Sequence, residues 1–177
     1  MFRVIKMKNS IKRYVPVICL VSGWVIGILM FYVVRLLKMD MPRYGVTDPT
    51  FWNACSAIWA QLRLFIVICL LGFSMLSAAV PAALVFSRSA LASFACALVY
   101  NSLLSKGGFS IRYAVFAVTS LLICVFLTSS ARLARIFYTK VPHSSLDNVL
   151  DYLARQLFTM GFATAVLIAY FTVCAIL

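Results

Sequence analysis

The chain has 177 residues, of which 64% are hydrophobic, and its net charge is +12. Its mean hydropathy of +1.04 is far above what a soluble domain of this size needs. This composition excludes an ordinary soluble enzyme or binding domain. The Lys and Arg residues stand at the ends of apolar runs, where membrane anchoring explains them better than contact with nucleic acid.

Uncharged apolar runs follow one another along the chain, each preceded by an Arg. Five such runs, free of His, Lys, Arg, Asp and Glu, cover 14–34, 64–87, 89–105, 113–131 and 156–177. About 20 apolar residues of helix span the hydrocarbon core, and a charge at that depth is costly. The sequence therefore predicts an all-α, polytopic membrane helical bundle: one integral membrane domain over 1–177, with about five transmembrane helices plus short interfacial helices.

The first span is predicted at about 15–37. Its apolar run is too long for the hydrophobic region of a signal peptide, so we expect it to be retained. The outer segment that follows contains Asp48-Pro49, a capping acceptor followed by a proline that suits the first helical position. With Trp52 and Trp59 behind it, this pattern predicts a short interfacial helix. Such a helix is either a membrane belt or a surface that docks a partner.

The next stretch, 64–105, is too long for one span. As a single helix it would be about 60 Å long, twice the hydrocarbon thickness. Ser87-Arg88-Ser89 is the polar cluster within it and predicts a tight cytoplasmic turn anchored by Arg88. The second and third spans are then expected at about 63–87 and 89–105, with Pro81 kinking the second.

The fourth and fifth spans are predicted at about 111–131 and 155–177. In the loop between them, Ser144-x-x-Asp147 resembles a capping box, and apolar residues then recur at helical spacing. A helix from about Ser145 is expected to lie along the inner face and lead into the last span. His143, just before it, is interpreted as an ordinary surface residue.

The distribution of basic residues predicts the orientation. With the N-terminus in the cytoplasm, ten lie inside: Arg3, Lys6, Lys8, Lys12, Arg13, Arg88, Arg132, Arg135, Lys140 and Arg155. Six lie outside: Arg35, Lys38, Arg43, Arg63, Lys106 and Arg112. The positive-inside rule therefore favours a multi-pass cell-membrane protein with a cytoplasmic N-terminus and an extracytoplasmic C-terminus, anchored inside by Arg132 and Arg135.

Small residues recur every four positions in three spans. These rows are Gly23 and Gly27 in the first, Ser89, Ser93 and Ala97 in the third, and Gly161, Ala165 and Ala169 in the fifth. Such rows let helix backbones approach closely in lipid. They indicate either packing within the bundle or docking of another span, including homo- or hetero-oligomers.

The chemistry expected of a membrane enzyme is missing from the spans. They contain neither His nor acid, so no side-chain pair is suited to general acid–base work. The polar span residues, such as Asn101 and Gln156, suit hydrogen bonds between helices. The six cysteines form no CxxC pair and are interpreted as packing residues. We expect no enzyme, no cofactor and no metal site.

The middle of the chain resembles the stage II sporulation protein M family. The matching segments are Leu71-Gly72-Phe73 with Pro81, the turn Phe86-Ser87-Arg88-Ser89, the row Ser89, Ser93 and Ala97, and Arg132-Leu133-Ala134-Arg135. The family prefers Gly in that row. Many relatives also carry a polar or acidic group near the start of the fourth span, where Ala117, Val118, Thr119 and Ser120 offer only hydroxyls.

The resemblance implies a non-catalytic membrane scaffold. Proteins of that family associate with membrane-anchored peptidoglycan hydrolases in an engulfment complex, and the partners carry out the hydrolysis. Two alternatives remain: a membrane subunit of a transporter whose soluble partner supplies energy, and a pore-forming protein. The second is disfavoured because no span carries a continuous polar stripe. Membrane lipids are the other expected partners.

Overall fold

A computed structural model describes residues 2–37, 50–105, 111–140 and 146–176. These residues form five α-helices: α1 (Phe2–Leu36), α2 (Phe51–Leu71), α3 (Val80–Ser105), α4 (Ile111–Lys140) and α5 (Leu146–Ile176). A short 3₁₀ helix, Met75–Ala78, lies between α2 and α3. All five α-helices contain a stretch long and apolar enough to cross a membrane. The predicted all-α, polytopic class is confirmed.

Contacts between helices fix their directions. Gly23 and Gly27 of α1 face Ser89 and Ser93 of α3, so these two helices are parallel. Ser130 of α4 bonds to Gln156 of α5, while Phe116 lies near Tyr170, so this pair is antiparallel. The Tyr152 hydroxyl near the start of α5 bonds to Cys69 O near the end of α2. The start of α1, the α2–α3 connection, the end of α4 and the start of α5 therefore share one end of the bundle, which we call the near end. The opposite end is the far end.

Helix α4 is central, because it contacts each of the other four helices. A continuous apolar core surrounds it; its buried members from α2, α3, α4 and α5 include Phe65, Ile68, Val85, Ile123, Leu127, Ala131, Ala134 and Leu167. Large apolar side chains also cover the outside, as expected of helices that face lipid rather than water. The core holds the helices together, and the outward faces remain for lipid or partners.

The predicted turn at Ser87-Arg88-Ser89 is wrong. Helix α3 runs straight through it, and the chain turns between Gly72 and Ala79 instead. The Ser74 side chain caps the 3₁₀ helix by accepting a hydrogen bond from Leu76 N at 3.2 Å. Pro81 does not kink a span: it lies in the first turn of α3, where its missing N–H leaves no helical bond unmade.

The separate interfacial helix is also wrong. Helix α2 begins at Phe51, with Thr50 as its cap, and continues through Trp52 and Trp59 to Leu71. The second and third spans are therefore 51–71 and 80–105 instead of 63–87 and 89–105. Asp48 and Pro49, which suggested the cap, lie outside the described residues.

The near-end segments are more helical than expected. Helix α1 begins at Phe2, long before the predicted span, and α4 continues to Lys140, so Arg132 and Arg135 lie in a helix rather than a loop. Helix α5 starts at Leu146, which agrees with the expected start near Ser145, and is continuous into the last span. An exposed ion pair, Asp151 to Arg155 at 3.0 Å, spans one turn of it. His143 lies outside the described residues.

Candidate functional site: helix-packing faces and arginines within helices

The glycine row of α1 packs directly on the serine row of α3. A Cβ placed on Gly23 would lie 2.6 Å from the Phe86 carbonyl oxygen and would overlap the Ser89 hydroxyl. One placed on Gly27 would overlap the Ser93 hydroxyl and the Ala90 carbonyl. Only glycine permits this approach, which is the role that small residues play between helices in lipid. This interface is internal to the chain.

The serines in this interface keep their hydroxyls satisfied. Ser89 and Ser93 are buried, and their Oγ atoms donate to carbonyls one turn earlier in α3: Phe86 O at 2.9 Å and Ala90 O at 3.1 Å. The Ser89 hydroxyl also lies 3.5 Å from Cys19 O of α1. Ala97, the third member of the row, is half-buried. The row predicted as Ser89, Ser93 and Ala97 thus contributes to packing within the bundle.

A buried polar network joins α2, α4 and α5 toward the near end. Gln156 Oε1 accepts from Ser130 Oγ at 2.5 Å, while Gln156 Nε2 donates to Ser130 O at 3.0 Å and to the Tyr152 hydroxyl at 3.1 Å. The Tyr152 hydroxyl in turn donates to Cys69 O at 2.8 Å. Every polar atom of the Gln156 amide is engaged, so the network fixes three helices relative to one another.

Aromatic rings close the near end around the α2–α3 connection. Tyr152 stacks on Phe137 with ring centres 4.2 Å apart, and Phe73 meets both rings edge-on. A Cβ on Gly72 would lie 2.7 Å from Tyr152 Cζ, so Gly72 lets the connection pass close to that ring. Gly72 and Pro81, both expected in a span, therefore shape the connection between α2 and α3.

The small-residue row of α5 has a different environment. Gly161, Ala165 and Ala169 are all exposed, and a Cβ on Gly161 would meet nothing within 4 Å. The side chains beside this row, Phe158 and Phe162, are exposed as well. The structure thus separates the predicted rows: those of α1 and α3 face each other, and that of α5 faces outward.

The predicted anchors Arg132 and Arg135 lie in the near-end part of α4 and are half-buried. Ala131, which precedes Arg132, and Ala134, which lies between the two arginines, are buried in the core. The Nη1 atom of Arg135 is buried and has no hydrogen-bond partner in the described part of the chain. Both arginines lie where the sequence predicted the membrane boundary, but in a helix.

Arg63 and Arg88 lie inside helices, eight residues from Leu71 and from Val80, respectively. Arg63 is exposed on α2, with its guanidinium carbon 5.0 Å from the centre of the Trp59 ring. Arg88 is exposed on α3. Within the described ranges Arg88 makes no hydrogen bond or ion pair. The sequence had placed both residues at span ends.

Sequence reasoning found part of the polar network. Gln156 was expected to bond between helices, but its partners Ser130, Tyr152 and Cys69 were not identified. The four-residue spacing of Tyr152 and Gln156, which puts both on one helix face, was the available signal. Gln61, buried in α2 at 4% exposure, was missed because it fell in the segment interpreted as an interfacial loop.

The fold and these contacts define a multi-pass α-helical membrane protein whose polar groups connect helices. Among the described residues, no group of three or more His, Cys, Asp and Glu could hold a metal ion. We compared the chain with models of protein families, with curated proteins and with solved structures, and none of these comparisons found a match.

Proposed function

We propose that the chain is a non-catalytic membrane scaffold that recruits and positions partner proteins, and that these partners are membrane-anchored peptidoglycan hydrolases of a sporulation complex. The outward face of α5, formed by Gly161, Ala165 and Ala169, is the observation that carries the scaffold role. It has the residue spacing of a helix-packing face, all three residues are exposed, and a Cβ on Gly161 would meet nothing within 4 Å.

The α1–α3 interface shows how this chain uses such a row. There, glycines at the same spacing bring two backbones together until a single Cβ would collide. In lipid, association between helices depends on this kind of close packing, because the hydrophobic effect no longer favours it. A partner helix laid along the α5 row would gain the same contact, with Phe158 and Phe162 beside it.

The sporulation role rests on the resemblance to the stage II sporulation protein M family. The helix order and the segment Arg132-Leu133-Ala134-Arg135 support it. The segment Leu71-Gly72-Phe73, which matches the second span of that family, lies at the end of α2 and in the connection to α3 and does not support it. The segment Phe86–Ser89, which matches a turn in that family, lies inside α3 and does not support it. The engulfment role is therefore tested separately from the scaffold role, by scoring engulfment in a deletion strain.

The orientation with the near end in the cytoplasm also belongs to the proposal. With Arg63 and Arg88 inside helices, the basic residues assigned to the two sides fall from ten to nine inside and from six to five outside. The positive-inside bias is preserved. The proposed location is the cell membrane, with the C-terminus outside.

The test is a deletion strain complemented with Gly161→Leu, which fills the α5 row without touching the chain's own packing. Ala60→Leu, at an exposed position of α2, is the matched control. We expect Gly161→Leu to be made at normal levels yet to lose both engulfment and co-purification of an identified peptidoglycan hydrolase, and Ala60→Leu to keep both.

Three outcomes would overturn parts of the proposal. Full function of Gly161→Leu would remove the docking role of α5. Normal engulfment in the deletion strain would remove the sporulation role. Co-purification of a soluble ATPase in place of a hydrolase would favour the transporter-subunit alternative.

A further inference from the structure

Arg88 is exposed, but along the bundle axis it lies far from the near and far ends. It is eight residues beyond Val80, the first residue of α3, which is about 12 Å along an α-helix. Because Gly23 faces Ser89, Arg88 is level with residues 22 and 23 of α1, near the middle of the uncharged run 14–34. An arginine at the edge of an apolar run can extend to the interface, but Arg88 is level with the middle of the run 14–34.

The Arg88 side chain is exposed, and its charge lies close enough to α4 to interact with the buried Cys124 thiol. Arginine is not deprotonated in proteins, so the guanidinium carries a full positive charge wherever it lies. Arg88 is exposed, and no described carboxylate, carbonyl or hydroxyl of the chain binds it. Charged residues within transmembrane helices are rare because they are costly, and they normally pair with a group of opposite charge.

A row of side chains runs along α3 on the same side as Arg88. Leu84, Arg88, Leu91 and Ala95 are separated by four, three and four residues, the spacing with which one helix presents a seam to another. Leu91 is 62% exposed and Ala95 is half-buried, while Leu84 is half-buried and packs against the apolar core of the bundle. A helix lying on this row would cover Arg88 and remove it from lipid.

No described residue of this chain supplies a counter-charge at that depth. It contains no Glu, and its acids are Asp40, Asp48, Asp147 and Asp151. Asp147 and Asp151 lie in the first turns of α5 at the near end, and Asp151 already pairs with Arg155. Asp40 and Asp48 are outside the described residues, and none of the four aspartates lies in one of the uncharged apolar runs. A second copy of the chain would bring the same four residues and, again, no carboxylate within an uncharged apolar run.

We propose that Arg88 pairs with the carboxylate of an Asp or Glu in a transmembrane helix of another protein, which lies along the α3 row formed by Leu84, Arg88, Leu91 and Ala95. The planar guanidinium binds a carboxylate through two parallel hydrogen bonds, which fixes depth and orientation together. This inference deepens the scaffold proposal by naming the chemistry of a partner, and it uses a face of the bundle distinct from that of α5.

Arg63 provides a matched comparison. It lies eight residues before Leu71, the end of α2, so it is as far from the α2–α3 connection as Arg88 is. Its guanidinium, however, lies over the Trp59 ring, which stabilises the cation by a cation–π interaction. The same substitutions at position 63 therefore report the effect of removing an arginine at similar depth without removing the proposed ion pair.

The first measurement is a cross-link within native membranes. Arg88→Lys puts an amine in place of the guanidinium. The membrane-permeant reagent dicyclohexylcarbodiimide adds to a carboxyl group, and an amine in contact with that group displaces dicyclohexylurea to form an amide. We expect a covalent product with Arg88→Lys that is absent from the unmodified chain and from Arg63→Lys. Mass spectrometry should place the bond at an Asp or Glu inside a transmembrane helix of a second protein.

The second measurement is recovery of that protein with the detergent-solubilised chain. Arg88→Leu should lower its recovery about tenfold, in line with loss of one strong interhelical contact, and Arg63→Leu should leave it unchanged. An Arg88→Asp chain should regain a partner whose acid has been changed to Lys.

A cross-link to an Asp of another copy, or to the carboxyl group of phosphatidylserine, would overturn the inference. So would unchanged recovery with Arg88→Leu. If Gly161→Leu abolishes function while Arg88→Leu does not, the inference fails and the scaffold proposal stands.

Discussion

Two buried glutamines have opposite effects on the stability of the fold. Gln156 and Gln61 are each 4% exposed. The Gln156 amide uses all of its donors and its oxygen on Ser130 and Tyr152, whereas the Nε2 of Gln61 has no partner among the described residues. A buried polar group stabilises a fold only when it is bonded, and an unpaired one carries its full desolvation cost.

We therefore predict that Gln156→Leu lowers the free energy of unfolding by about 1–2 kcal/mol, because it strands the Ser130 hydroxyl and loosens Tyr152. Gln61→Leu should leave that free energy unchanged or raise it. Denaturant titration of both variants in detergent micelles, followed by helix content, measures the difference. Equal losses in the two variants would show that the network does not hold α2, α4 and α5 together.

Glycine at two positions allows a matched comparison of packing. Gly23→Ala puts a methyl group 2.6 Å from Phe86 O, where the backbone of α3 must move, so we expect a loss of about 1–3 kcal/mol in the free energy of unfolding. Gly161→Ala meets open space and should cost nothing, with a gain of up to about 1 kcal/mol from helix propensity. The same titration measures both, and a destabilised Gly161→Ala would mean that α5 packs differently.

These residue-scale differences could be predicted only in part. The spacing of Gly23 with Gly27 and of Gly161 with Ala165 indicates packing faces equally well. Which row meets another helix depends on how α1, α3 and α5 are arranged, and that arrangement is a property of the whole bundle. The bond from Tyr152 to Cys69 has a sequence separation of 83 residues, and no local pattern contains it.

At the scale of elements, the main error came from treating every arginine as a span boundary. Arg63 and Arg88 lie inside α2 and α3. The expectation that no charged side chain lies within a transmembrane span therefore put the ends of both helices at the wrong residues. Local signals for the true connection were present: Gly72, the capping Ser74 and Pro81 follow one another within ten residues. The turn was expected at Ser87-Arg88-Ser89 instead, because that cluster is more polar than the segment from Gly72 to Pro81.

The outer boundaries were easier to predict. The end of α3 at Ser105 and the starts of α4 and α5 lie close to the expected positions, because polar clusters there coincide with the ends of helices. Hydrophobic length alone identifies the number of spans, since each one needs about 20 apolar residues. It does not locate a turn made from apolar and small residues such as Leu71–Ala79.

At the scale of the whole molecule, the number and directions of the helices decide which connections share a side. The near end brings together the α2–α3 connection and the end of α4, while the start of α4 lies at the far end. This arrangement follows from contacts between helices and does not depend on which side is the cytoplasm. Single cysteines can therefore test two things separately: which connections share a side of the membrane, and which side is the cytoplasm.

We predict the labelling of four cysteines by a membrane-impermeant maleimide, in a chain whose exposed native cysteine is removed by Cys55→Ser. The positions are Met75→Cys and Thr139→Cys at the near end, Ile111→Cys at the far end, and Ser87→Cys within α3; all four are exposed in the structure. The near-end pair should react only in inverted vesicles, and Ile111→Cys only in intact cells. Ser87→Cys should react in neither, because a thiol surrounded by hydrocarbon does not ionise to the reactive thiolate.

Opposite sides for Met75→Cys and Thr139→Cys would contradict the arrangement of the helices, and reaction of Ser87→Cys would restore the turn at 87–89. A complete reversal of the pattern would leave the fold intact and contradict only the cytoplasmic placement of the near end.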